Sequence, residues 1–201
     1  MKPGVRGLYA IIDPAACAWR SPLAVAEAIV AGGCASLQLR DKRADDAAYL
    51  VLGRELRALC TRVGIPFVVN DRVHLARELR ADGVHVGQGD MSIAEARALV
   101  GHGVQVGVST HSLSQALRAC EQGADLIGFG PVYPTRSKEN ADPVVGEAEL
   151  GRVCQSVVRR DGTRMPVVAI GGVTATRAAA LVRAGASFAA AISALCEAPD
   201  P

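Results

Sequence analysis

Eight short β-branched runs alternate with Ala/Leu/Arg-rich segments along the chain, and this alternation constrains the fold more than any other feature. The runs are GLYAIID (7–13), SLQLRD (36–41), PFVVND (66–71), GVHVGQ (83–88), VQVGVST (104–110), DLIGFGPV (125–132), PVVAIGG (166–172) and SFAAAISAL (187–195). The segments between them read as helices, as in PLAVAEAIVAG, DAAYLVLGRELRALCTRVG and SLSQALRACEQGA. Gly32, Gly64, Gly123 and Gly185 stand where left-handed C-caps belong. Parallel strands need a crossover, normally a helix, so the pattern predicts an α/β fold with a parallel sheet. Eight units predict a closed (β/α)8 TIM barrel rather than an open sheet. No linker or low-complexity stretch divides residues 1–201, so one domain is expected. After the eighth run only CEAPDP follows, so the closing helix is expected to be absent or truncated.

Half of the residues are hydrophobic but only 3% are aromatic, so Ala, Val, Leu and Ile must build the core. With 22 basic and 20 acidic residues the net charge is +2, which gives no footprint for nucleic acid. Six cysteines occur without a CxxC pair or a histidine at metal-finger spacing, and are read as buried free thiols. No run approaches the roughly 18 apolar residues of a membrane span. The stretch MKPGVRGLYAIIDP carries no signal-peptide core. A cytoplasmic protein with no membrane partner is the expectation.

In such a barrel the site lies at the C-terminal ends of the strands, and the polar residues collect there. In SLQLRDK, Gln38, Arg40 and Lys42 occupy every second position and so share one face. Burying two cations is costly unless an anion answers them. Strand three ends in Asn70 and Asp71, and strand four leads through Gly-Gln-Gly to Asp90. Strand five ends in Ser109, Thr110 and His111, and the loop after strand six carries Thr135, Ser137 and Lys138. Strand seven ends in Gly171 and Gly172, and strand eight in Ile192 and Ser193. Arg40, Lys42 and Lys138 suit phosphate oxygens. Asp71 and Asp90 suit Mg2+, which takes one or two carboxylates plus substrate phosphates. The Gly-Gly and Ile-Ser segments fall where barrels commonly bind a monophosphate. The set therefore predicts two phosphate sites, one for each of two substrates. Each feature also has a structural reading: Arg40–Asp41 or Lys42–Asp71 as ion pairs, His85 as a satisfied core histidine, Gly171 and Gly172 as a tight turn.

QLRDK, NDRVHLARELRADGVHVGQGDM, GVSTHS, GFGPVYPTRSK, AIGGV and AISAL together resemble, in order and spacing, the motifs of the thiamine phosphate synthase family, over residues 8–195. The resemblance implies a transferase of thiamine biosynthesis. It would join hydroxymethylpyrimidine diphosphate to thiazole phosphate and release pyrophosphate, with Mg2+ as cofactor. It further implies that Gln38, Leu39, Arg40, Asp41, Lys42, Asn70, Ser109 and Lys138 contact the diphosphate substrate. By the same resemblance Asp71 and Asp90 hold the metal, and Thr135, Arg136, Ser137, Gly172, Ile192 and Ser193 contact the thiazole phosphate. Arg40, Lys42 and Lys138 would stabilise the leaving group. The chain departs from the family pattern at Ser137, where Thr is usual, and at Phe188, which replaces a small residue beside the expected phosphate turn.

Two other readings compete. A thiazole tautomerase, the sister family, would use His111 for proton transfer, and a silent barrel would only bind a phosphorylated metabolite. A short closing helix would also leave the outward residues of LYAII and SFAAAISAL as an exposed apolar strip. That predicts a homodimer covering it, with Ala190 as an outward position to probe.

Overall fold

The computed structural model describes residues 6–137 and 142–201. Eight parallel strands close into a barrel in chain order: β1 (Gly7–Ile12), β2 (Ser36–Leu39), β3 (Phe67–Asn70), β4 (Gly83–Val86), β5 (Gln105–Thr110), β6 (Leu126–Phe129), β7 (Val167–Ala169) and β8 (Phe188–Ala191). Outside lie α1 (Pro22–Gly32), α2 (Asp46–Val63), α3 (Ile93–Val100), α4 (Leu113–Glu121), α5 (Gly146–Ser156), α6 (Ala175–Arg183) and α7 (Ser193–Cys196). All eight expected strands form, each shorter than its apolar run; in all but β5, which loses only Val104, the last residues of the run leave the strand. β8 is shortened most, since its SAL segment winds into α7. Among the described residues, no helix is long and apolar enough to cross a membrane.

The helix ends follow local chemistry. Ser21, Asp45, Ser92 and Ser112 cap their helices by accepting a backbone N–H, and Ser92 with Glu95 completes a capping box. Gly64 terminates α2 at φ +74°, as its position predicts. Gly32 stays helical, and the cap falls one residue later on Gly33 at φ +96°. One link departs from the crossover expectation: residues 71–82 contain only a 3-10 turn, Val73–Leu75, with Arg80 left-handed at φ +48°. Val73, Leu75, Ala76 and Leu79 bury themselves from this compact link and do the covering that a helix would do.

Strand alternation sorts the core into two layers. Tyr9, Ile11, Val68, Leu126, Val168, Phe188 and Ala190 fill the barrel interior, while the larger cluster lies between barrel and helices. Phe188 meets Tyr9 edge-on, centroids 6.4 Å apart, at the barrel floor rather than beside the phosphate turn. Ala190 points inward and is 1% exposed, so it is no probe of an outer face. The outward side chains Ala10 and Ile12 are fully buried, and only Leu8 and Ala189 remain half-exposed. The apolar strip that motivated a homodimer is therefore not present. The cover comes from α7, a single turn whose Cys196 is fully buried and donates its thiol to Ile11 O. Arg20 ties that turn down through Cys196 O and Ala198 O. All six cysteines are free thiols.

The N-terminal rim uses one device twice. Asp82 and Asp125 each precede a strand and each accept a neighbouring strand's N–H, from Phe67 and Val106, both at 2.8 Å. Each carboxylate also pairs with an arginine from a helix, Arg57 on α2 and Arg97 on α3. The two latches fix the register of β3 with β4 and of β5 with β6. Asp82→Ala should cost roughly 1–3 kcal/mol in urea denaturation, because it strands a backbone N–H and a guanidinium together. Adding Arg57→Ala should cost little more, since both substitutions act on one network.

Candidate active site

A cavity of about 460 Å3 opens at the C-terminal mouth, with Tyr9, Ile11, Val168 and Ala190 as its floor. Gln38, Arg40 and Lys42 line one side, as their period-two spacing requires. Gln38 is buried and donates through Nε2 to Tyr9 Oη at 2.9 Å, which fixes the amide. Arg40 ion-pairs with Asp13 at the end of β1 rather than with Asp41. Lys42 Nζ stands 3.0 Å from Asp71 Oδ2. Arg72 braces the loop that carries Lys42: it pairs with Asp46, donates to Ala44 O and lies over the Tyr49 ring, 5.0 Å from the centroid.

Asp71 holds φ +58°, a left-handed conformation that Asp tolerates and that is enriched at functional sites. Burial pushes its carboxyl above the usual carboxylate range, Lys42 pulls it back, and the Asp90 carboxyl pushes it up again. Asp90 Oδ2 accepts the Gly87 N–H at 2.7 Å, an approach open only because a Cβ on Gly87 would lie 2.8 Å from that oxygen. Two carboxylates this close, one of them left-handed at the end of β3 and the other in the loop after β4, form a hard-oxygen pair suited to Mg2+. Among the described residues, no group of three or more His, Cys, Asp or Glu side chains forms a closed metal cage. A pair that leaves positions for water and phosphate oxygens fits that ion.

His85 lies across the inner wall, with Nε2 2.9 Å from Ser109 Oγ and a buried Nδ1 that has no partner among the described residues. It is thus only half satisfied. Glycine makes the room: a Cβ on Gly107 would sit 2.7 Å from Nδ1, and one on Gly128 3.0 Å from Cε1. Opposite, Thr135, Ser137, Gly171, Gly172, Ile192 and Ser193 line the wall. Gly171 and Gly172 have φ +93° and +62°, and a Cβ on either would lie 2.4 Å from Pro131 or Pro134 atoms. Their N–H groups and that of Val173 have no acceptor among the described residues. A bare-backbone cradle of this kind favours an anion.

The thiamine monophosphate synthase family matches residues 8–195. The chain belongs to that family. It is 42% identical to the thiamine-phosphate synthase of Chloroflexus aurantiacus over 96% of this chain and 86% of that one. It is 43% identical to the thiamine biosynthesis bifunctional protein ThiED of Geobacter sulfurreducens over 98% of this chain, but spans only 38% of that protein. The solved thiamine phosphate pyrophosphorylase of Pyrococcus furiosus superimposes with a TM-score of 0.85 at 33% identity, covering 96% of this chain and 89% of that one.

Of the residues expected at the site, Gln38, Arg40, Lys42, Asn70, Asp71, Asp90, Ser109, Thr135, Ser137, Gly172, Ile192 and Ser193 share this one cavity. Three side chains do not reach it. Leu39 is fully buried against the helices, where its carbonyl accepts the Tyr49 hydroxyl. Asp41 turns back to cap its own loop, accepting the N–H groups of Arg43 and Ala44. Arg136 is exposed and off the wall. Lys138 lies outside the described residues. The structure adds Asp13, Tyr9, Gln88 and Arg72, of which Tyr9 and Asp13 were readable from the same alternation in GLYAIID.

Burial pushes the His85 imidazole down to about 4 from 6.5, with the Asp90 charge opposing. The folded ring stays neutral while the unfolded one gains a proton below pH 6.5, so acid favours unfolding. Stability should fall between pH 6.5 and about 4, by roughly 3 kcal/mol at full linkage. Thermal melts of wild type and His85→Gln across this window check it: the variant should lose less stability on acidification.

Proposed function

We propose that the cavity joins hydroxymethylpyrimidine diphosphate to thiazole phosphate, giving thiamine phosphate and pyrophosphate. The observation that carries this reading is the placing of two different anion sites on opposite walls of one cavity. One wall offers Arg40 and Lys42 beside the Asp71–Asp90 pair, and the other offers the open backbone of Gly171 and Gly172. A barrel that only held one phosphorylated metabolite would need one of these.

The bond between the pyrimidine methylene and the diphosphate oxygen breaks first, and its electron pair leaves with pyrophosphate. The thiazole nitrogen then gives its lone pair to the pyrimidine cation, forming the C–N bond. Arg40 and Lys42 face the charge that builds on the leaving oxygen. Both are held ready by carboxylates, so little reorganisation is needed when phosphate replaces them. Asp71 and Asp90 would hold Mg2+, which when bound supplies Lewis-acid stabilisation of pyrophosphate. The apolar floor and the Tyr9–Gln38 pair orient the ring and exclude water. The tautomerase reading leaves the Arg40, Lys42 and Asp71–Asp90 wall without a use. His111, the residue that reading would use, stands with Nδ1 2.6 Å from Gly130 O and Nε2 3.3 Å from Asp142 Oδ2.

Pyrophosphate release should require both substrates and Mg2+ together. Asp90→Asn should abolish Mg2+-dependent turnover with an unchanged melting temperature, and a variant with normal Mg2+ dependence would refute the metal assignment. Arg40→Ala and Lys42→Ala should each lower kcat by on the order of 10²–10³. Losses below about tenfold in both would return these side chains to scaffolding.

A further inference from the structure

Arg177 stands in the first turns of α6, half-buried and off the cavity wall. Its Nη1 donates to Gly172 O at 2.6 Å, and its guanidinium carbon lies 4.4 Å from the centroid of the Tyr133 ring. The two contacts reach different loops. Gly172 belongs to the turn after β7, whereas Tyr133 belongs to the segment after β6 that runs on to Thr135 and Ser137. Tyr133 is itself held at both ends: its N–H donates to Gly171 O at 3.1 Å, and its hydroxyl donates to Glu147 Oε1 at 2.6 Å.

The carbonyl that Arg177 holds belongs to the Gly172–Val173 peptide. That peptide is trans, so its C=O and N–H point in opposite directions. Fastening the oxygen to Arg177 turns the Val173 N–H the other way, and Val173 lines the cavity. Gly172, at φ +62° and without a side chain, has little else to resist rotation of this plane. A flip would present an oxygen, instead of a donor, to an anion.

We propose that Arg177 is a positioning residue for the phosphate cradle: it sets the Gly172–Val173 peptide plane and binds the loops after β6 and β7 into one arrangement. The assignment rests on the proposed function, in which thiazole phosphate occupies this turn. Steady-state kinetics with each substrate varied separately test it. Arg177→Ala should raise KM for thiazole phosphate about tenfold or more and leave KM for the pyrimidine diphosphate within about twofold. Arg177→Lys, which keeps a donor and a charge, should recover part of the loss. Tyr133→Leu should raise the same KM, and should add little in the Arg177→Ala background because both act on one contact. An unchanged KM for thiazole phosphate, or equal rises for both substrates that follow a lowered melting temperature, overturns the assignment while the function stands. A wild type that releases no pyrophosphate from the two substrates overturns the function and this assignment with it.

Discussion

A closed ring of eight parallel strands turns every second side chain toward a common axis, and the size of what stands there decides the rest. Near the N-terminal end the axis is filled by Tyr9 against Phe188, with Val68, Leu126 and Val168 around them. Near the C-terminal end the inward positions of β5 and β6 are Gly107 and Gly128, so the His85 ring lies flat where other side chains would stand. The seat of His85 in the inner wall is therefore made by missing Cβ atoms on strands, the rigid part of the fold. The loops after the strands supply most of the remaining lining.

Among the described residues, the cations of the site are not bare. Arg40 answers Asp13 and Lys42 answers Asp71, so each positive head is already paired before any ligand arrives. Partial burial of charge is tolerable on those terms, since a lone buried ion would cost several kcal/mol. It also explains how a chain of net charge +2 can build an anion site without a basic patch. On the proposed function, selectivity would come from geometry: an anion would have to offer its oxygens within reach of Arg40 and Lys42. The opposite wall works differently, with backbone N–H groups and no cationic side chain among the described lining residues.

Much of this was legible in the residues, and the failures have physical causes. Strand positions were readable because β-branched runs and their spacing are local properties. The link 71–82 was not, because apolar residues such as Val73 and Leu79 can cover a sheet without forming a regular helix. Leu39 sits between Gln38 and Arg40, so the alternation that brought those two inward sends it out. Reading QLRDK as a continuous contact stretch ignored that rule. Ala190 is the same error in reverse. The partner of Arg40 lies 27 residues away in sequence, and the register of β1 against β2 is what brings Asp13 beside it. The glycines around His85 leave no signature in the sequence either, since their role is set by strand register.

The turn α7 has a consequence for how the chain acquires its shape. Cys196 reaches Ile11 across 185 residues of sequence, and Arg20 reaches Cys196 across 176. The first strand is thus completed by residues synthesised long after it. An N-terminal portion emerging from a ribosome holds β1 with one edge unpaired and its outer face uncovered, whatever the strength of its local helices. Contacts of such high sequence separation slow folding, because the entropy of closing the ring is lost before the contacts reward it. Nascent β1 spends that interval as an open apolar edge, the state in which a parallel barrel is most exposed to association with other chains.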